Sequence, residues 1–357
     1  MPRIRPEIES LVRYSPGLPI DEVARRFGIV DIVKLASNEN PESPFPEVSA
    51  AMAEVVAGVN RYPDSGCYAL TNALASATGI ASESLWFGAG SSELLSVTSR
   101  AVGGPGTSFV FGWPSFAMYP INASLGAAEA IKVPLDERQR YDLEAMSEAI
   151  RDDTTLVFVC NPNNPTGTYR SSDDIDAFLD SVPTSTLVIV DEAYAEYVVA
   201  DDYRTAIPHA LERPNVLVAR TFSKMYGLAG LRVGYMIGQP DTLVSVKKAQ
   251  IPFSVNNLAQ VAAIEALQYP ERVSERVKAN REGIEFLDRA LADRTIEYAP
   301  SQANFLWIRL GPDTTAINQA LMEQGVIVRS LSDEWTRVSI GTPEENQRFV
   351  HALDAVR

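Results

Sequence analysis

Between residues 60 and 250, short apolar runs alternate with segments of helical periodicity. The runs are Ser84–Phe87, Ser108–Phe111, Ala130–Val133, Leu156–Cys160, Leu187–Val190, Val216–Ala219 and Gly234–Ile237. Several are rich in Val, Ile and Leu and show no polar alternation, as strands covered on both faces do. Helical patterns such as Glu93–Val102 and Ser172–Ser181 lie between them. That alternation predicts an α/β fold: a mostly parallel sheet sandwiched by helices. After Ile251 the pattern changes. Two long helices, over about 256–267 and 271–292, precede three short strands and a final helix from Pro343, which predicts a smaller α+β domain. The opening residues carry Pro2, Pro6, Pro16 and Pro19 and read as an arm joining that smaller domain. The expected division is an arm over 1–35, a large domain over 36–250 and a small domain over 251–357.

Composition narrows the partners. The 357 residues carry 31 Lys plus Arg against 46 Asp plus Glu, a formal charge of −15. Such a surface repels nucleic acid and anionic membranes, although a site can still be locally cationic. The 2 cysteines, Cys67 and Cys160, make no disulfide framework, and the 2 histidines, His209 and His351, cannot build a three-His metal site. No apolar run approaches the ~20 residues that span a bilayer, and the first residues lack a signal-peptide pattern. The expectation is a cytoplasmic protein acting on small molecules.

In an open parallel sheet, ligands collect at the carboxyl ends of the strands. Here the runs are followed by Gly88-Ala89-Gly90-Ser91-Ser92, Trp113-Pro114-Ser115-Phe116, Asn161-Pro162-Asn163-Asn164-Pro165-Thr166-Gly167, Asp191-Glu192-Ala193-Tyr194 and Thr221-Phe222-Ser223-Lys224. Five strand ends therefore place polar, ionisable and glycine-bearing segments on one edge. Lys224 is one of only 6 lysines, and it alone stands at a strand-to-turn junction among small residues. Desolvation or neighbouring cations, with Arg220 and Arg232 nearby in sequence, would lower its pKa and make it a nucleophile. Taken alone, it could equally be a surface lysine. Asp191 ends a core strand and wants a cationic partner, which could be a structural ion pair or a protonated ring nitrogen. Ser91 and Ser92 open a helix, where free N–H groups bind anions, although a plain serine cap is common. Thr221, Ser223 and Arg232 could add donors, and Asn164 and Tyr194 offer an amide and a phenol. Collected in one place, these groups meet the needs of pyridoxal phosphate: Schiff base, pyridinium, ring oxygen and phosphate.

The motifs Asn161–Gly167, Asp191-Glu192-Ala193-Tyr194 and Thr221–Lys224 with Gly230-Leu231-Arg232 resemble those of the fold-type I aminotransferases, most of all the histidinol-phosphate aminotransferase branch. The likeness runs from Lys34–Pro41 through Arg61-Tyr62-Pro63-Asp64 to Arg337–Gly341, nearly the whole chain. Within the branch, Phe111–Phe116 and Pro300–Phe305 look most like the actinobacterial phenylalanine (aromatic amino acid) aminotransferases. The resemblance implies pyridoxal phosphate on Lys224, with Asp191 at the pyridine nitrogen and Asn164 and Tyr194 at the ring oxygen. It implies Ser91, Ser92, Thr221, Ser223 and Arg232 at the phosphate, with Tyr62 reaching it from the neighbouring subunit of a homodimer with shared active sites. Phe116 would stack on the ring, Arg337 would bind the substrate carboxylate, and Tyr14 and Arg329 would surround the substrate side chain.

Ser92 stands where histidinol-phosphate enzymes often have Asp. The expected reaction moves the amino group of an aromatic amino acid, phenylalanine first, to a 2-oxo acid such as 2-oxoglutarate. Histidinol-phosphate transamination is the alternative. A phosphate end would want cations, which Arg329 could supply. An aromatic end would want apolar walls, which Trp113, Phe116 and Tyr14 could supply. A transcription regulator on this scaffold would need a basic DNA-binding segment, which the first 35 residues do not provide.

Overall fold

The apolar runs pair into one sheet because each can bury both of its faces only between two layers of helix. The structure, a computed structural model, describes residues 3–9, 11 and 17–357. The strands in chain order are β1 (Val33–Lys34), β2 (Leu85–Gly88), β3 (Ser108–Trp113), β4 (Glu129–Pro134), β5 (Thr154–Cys160), β6 (Leu187–Asp191), β7 (Val216–Thr221) and β8 (Gly234–Ile237). They continue with β9 (Tyr298–Ala299), β10 (Phe305–Arg309), β11 (Val326–Ile327), β12 (Arg329–Ser330) and β13 (Trp335–Ser339). The large sheet has the order β2-β8-β7-β6-β5-β3-β4. Only β8 runs against its neighbours. The other six strands therefore end on the same edge. Register aligns those ends, with Cys160 opposite Asp191 and Asp191 opposite Ala219.

A second sheet, β12-β13-β10-β9, is antiparallel. Its core joins Leu306, Ile308 and Val338 to Ile284 and Leu287 of helix Pro270–Asp293 and to Phe349 and Leu353 of helix Pro343–Val356. Val33 and Leu35 enter the same core, because β1 pairs in parallel with β11. Residues 36–42 then run back toward the large sheet.

Two features differ from the sequence expectation. The C-terminal region holds five short strands and a helix, Thr314–Glu323, where three strands were expected. β9, β11 and β12 are two residues long each, too short for an alternation to register. Helix Asn257–Ala266, grouped above with the small domain, buries Ala259, Ala262, Ala263 and Ala266 in the core of the large sheet. Its alanine face lets it lie close against helices Pro46–Val55 and Tyr68–Thr78. The smaller core begins with the next helix, Pro270–Asp293.

Candidate active site

The common edge of the sheet gathers the polar strand ends into one cavity of about 140 Å³. Ser91, Ser92, Phe116, Asn164, Asp191, Tyr194, Thr221, Ser223, Lys224, Arg232, Arg329 and Arg337 all line it. Arg329 and Arg337 come from the small sheet, on facing positions of β12 and β13. Tyr62 is not in this cavity. It is 81% exposed and stacks on Phe253 with ring centroids 4.7 Å apart. Tyr14 lies outside the described residues.

One end of the cavity is an anion cradle. Helix Ser91–Val102 starts immediately after β2, through Gly90 at φ +80°. A Cβ on Gly90 would stand 2.4 Å from Arg232 Nη2, and one on Gly234 would stand 2.4 Å from the Ser91 nitrogen. Two bare glycines thus let the helix start, β8 and the Arg232 guanidinium meet. Arg232 Nη1 donates to Ser223 Oγ at 3.3 Å, and the Ser223 N–H donates to Thr221 Oγ1 at 3.1 Å. First-turn N–H groups without helical partners, the helix dipole and a guanidinium all favour a phosphate here.

Lys224 stands at the other side. Its Nζ donates to the Ser37 carbonyl at 3.2 Å. Burial, and then the charge of Arg337, lower its pKa to about 7, with Arg232 adding to the effect. A good fraction of the amine is therefore neutral near pH 7. Arg220, the neighbour in sequence, takes no part. Strand periodicity turns it to the opposite face from Thr221, where it pairs with Glu192 at 2.7 Å and Glu196 at 3.1 Å.

Asp191 is 2% exposed and receives the Tyr119 hydroxyl at 2.9 Å and the Ala193 N–H at 3.2 Å. Burial pushes its pKa up to about 6, against the pull of those two donors. Tyr119 is held flat against Phe158, with centroids 4.4 Å apart, so Asp191 is fixed in direction. Arg337 Nη1 donates to Asn164 Oδ1 and Nη2 to the Ala36 carbonyl, both at 2.6 Å. The guanidinium also lies 5.5 Å from the Phe305 ring centre.

Two supporting residues escaped the sequence reading. Asn38, at φ +54°, donates from Nδ2 to the Tyr194 hydroxyl at 3.0 Å and accepts Ser339 Oγ at 3.0 Å. Tyr119 escaped because only the tertiary packing brings its hydroxyl onto Asp191. Asn38 lies within the Lys34–Pro41 motif, so its place in a quoted motif was the available signal. Trp113, expected as a possible apolar wall, turns away from the cavity. It packs edge-on to Phe111, and Lys132 Nζ lies 4.5 Å from its ring centre.

Comparison with known proteins places this geometry. Residues 30–353 match the family model for aminotransferase class I and II. The chain belongs to the class I and II aminotransferases. Among relatives of this aminotransferase, histidinol-phosphate aminotransferase of Moorella thermoacetica is 42% identical over 99% of the chain and 92% of the relative. An aromatic amino acid aminotransferase of Thermobifida fusca is also 42% identical, over 98% of the chain and 96% of the relative. The crystal structure of histidinol-phosphate aminotransferase from Sinorhizobium meliloti in complex with pyridoxal-5'-phosphate superposes with a TM-score of 0.91. It is 28% identical and covers 100% of this chain and 98% of its own.

Proposed function

We propose that this aminotransferase uses pyridoxal phosphate to move the amino group of an aromatic amino acid to a 2-oxo acid. The residues fit the cofactor by their own chemistry. The glycine-bounded cradle of Ser91, Ser92, Thr221, Ser223 and Arg232 would hold its phosphate. The buried Asp191 would hold the ring nitrogen as a protonated pyridinium, an ion pair that brings the carboxylate back below pH 6. Asn164 and Tyr194 would bond the ring oxygen, Phe116 would lie on the ring face, and Lys224 would hold the aldehyde end. When bound, pyridoxal phosphate serves as an electron sink that makes the proton on the substrate α-carbon labile.

The chain's own groups do the rest. Arg337 presents a planar fork that can exchange its Asn164 and Ala36 partners for a carboxylate. Lys224 Nζ, about half of it neutral at pH 7, would take the proton from the substrate α-carbon, as a base matched to the working pH should. Domain placement follows from use. The large sheet would carry the cofactor, while the small sheet would bring Arg329 and Arg337 over the substrate.

The observation that favours an aromatic donor is the distribution of cations. Among the described residues, Lys224, Arg232, Arg329 and Arg337 are those that line the cavity. Arg232 belongs to the cofactor phosphate and Arg337 to the carboxylate, which leaves Arg329 at the side-chain end. A phosphate dianion calls for more than one such group, whereas an aromatic ring needs apolar area of roughly 150–250 Å². The second reading is supported by the names of relatives. At 40% to 42% identity, relatives named histidinol-phosphate aminotransferase recur alongside an aromatic amino acid aminotransferase. Initial rates with phenylalanine and with histidinol phosphate, each with 2-oxoglutarate, decide. The aromatic reading expects a higher kcat/KM with phenylalanine and a modest loss in Arg329→Ala. A histidinol-phosphate preference of tenfold or more, abolished in Arg329→Ala, overturns it.

A further inference from the structure

The cavity with the lysine is not the only one among the described residues. A cavity of about 390 Å³ lies behind residues 40–42, between helix Pro270–Asp293 and the start of helix Pro343–Val356. That volume is in the range of small-molecule sites. Pro41, Tyr197, Phe286, Ile340 and Pro343 give it apolar walls. Most polar groups around it are already engaged. Arg276 bonds Glu42 and the Ser43 and Met225 carbonyls, Asn280 bonds the Ala303 carbonyl, and Asn346 closes on both backbone groups of Gly341.

One group is not engaged. Asn304 lines the cavity and is 2% exposed, and its side-chain oxygen has no donor among the described residues. A buried acceptor without a donor is costly, and a ligand N–H can satisfy it. Glu42 and Glu282 at the rim leave the surround net acidic once Arg276 is counted, which disfavours an anionic ligand.

The geometry points to a second ligand site here, for a small aromatic molecule that bears an N–H donor and no negative charge, acting on the active site through residues 38–40. Asn304 is the link. Its Nδ2 donates to the Asn38 carbonyl at 3.1 Å, and Asn38 Nδ2 holds the Tyr194 hydroxyl at 3.0 Å. A parallel link runs through Asn40, whose Nδ2 donates at 3.1 Å to the carbonyl of Met225, next to Lys224. A ligand that draws on Asn304 therefore changes the support of the phenol beside the cofactor, and by linkage the cofactor changes ligand affinity.

Indole is the probe, with 1-methylindole as its N–H-free control, added to the holoenzyme. Binding is read by calorimetry, and the coupling by the pH midpoint of the cofactor's visible band. Indole should bind at one site per chain without competing with the amino-acid substrate. Loss of the donor should weaken 1-methylindole by roughly fivefold or more. Ala279→Leu, at an exposed helix position on the cavity wall, should weaken indole by about tenfold or more while basal rates stay unchanged. Bound indole should move the band's midpoint by roughly half a pH unit. Asn304→Ala should remove that shift. No binding, binding competitive with the amino acid, binding indifferent to Ala279→Leu, or binding with no spectral shift each overturn the inference. None of these readouts depends on which amino acid is the donor.

Discussion

Burial and the neighbouring guanidiniums keep Lys224 at a pKa of about 7, where an unfolded lysine sits near 10.4. Folding without cofactor must therefore discharge this amine or bear its charge. The sign follows from proton counting. Between about pH 7 and 10.4 the unfolded chain holds the proton and the folded chain does not, so stability from this group rises with pH across that window. Below pH 7 the cost is present in full. Lys224→Met should therefore stabilise the cofactor-free protein most at pH 6–7, by roughly 2–5 kcal/mol, and much less at pH 10. Urea denaturation of both cofactor-free proteins at the two pH values checks it. A gain that is the same at both, or larger at pH 10, would mean that Lys224 is not held in a desolvated, cation-flanked site. Chemically legible in the sequence were the lysine and its strand-end position. The identity of the cation that acts on it was not, because Arg337 is 113 positions away and Arg220, four positions away, faces the other side of its strand.

At the scale of elements, the cradle depends on how closely helix Ser91–Val102 approaches β8. Gly234 controls that approach. A methyl there would meet the Ser91 nitrogen, the Gly90 carbonyl carbon and the Arg220 carbonyl oxygen, all at 2.9 Å or less. All three are backbone atoms, so the helix start itself must move. Gly234→Ala is expected to cost about 1–3 kcal/mol of stability, the usual range for overpacking. It should also weaken cofactor binding by roughly tenfold or more, since a displaced helix end aims its N–H groups away from the phosphate. Titration of cofactor-free protein with pyridoxal phosphate, followed by absorbance, measures the second effect. Gly230→Ala is the control, because a methyl there meets nothing within 4 Å. If both variants bind alike, the helix start is not the phosphate site. The elements of this region were readable from the apolar runs, and β8 was read to the residue. The contact that makes Gly234 necessary was not, since it joins two segments more than a hundred positions apart.

The whole molecule presents Tyr62, Tyr68, Val56, Val59, Ile251 and Phe253 to solvent. If two copies of the chain pair through these apolar side chains, as the sequence resemblance implies, Tyr62 of one copy would reach the phosphate cradle of the other, since it does not line the cavity of its own chain. Lys224→Ala and Tyr62→Ala should each be nearly inactive alone. Mixed under conditions that exchange subunits, they should regain about a quarter of wild-type activity, because half of randomly paired dimers carry one intact site in two. Assay of the mixture with sedimentation at the same concentration checks both claims. Activity that never exceeds the sum of the two variants would show that each cavity is complete within one chain.

Sequence alone determined what depends on neighbours along the chain. Covered strands show as Val, Ile and Leu runs, helix starts show as Gly-Ser-Ser, and a lysine at a strand end stands out because lysine is rare here. Those local signals fixed the sheet, the edge on which ligands gather and the chemical class of the cofactor. Tertiary structure decided what depends on distance in space. It kept Trp113 out of the cavity lining, seated helix Asn257–Ala266 in the large core, set Tyr119 on Asp191 and Asn38 on Tyr194, and brought the charge of Arg337 from the small sheet to bear on Lys224. It also left the Asn304 side-chain oxygen without a donor among the described residues, beside a second cavity. Hydrophobic periodicity is a property of consecutive residues and is written in order. The charge, dielectric and hydrogen-bond partners of a buried group are set by whatever packs against it, and the chain order does not record that.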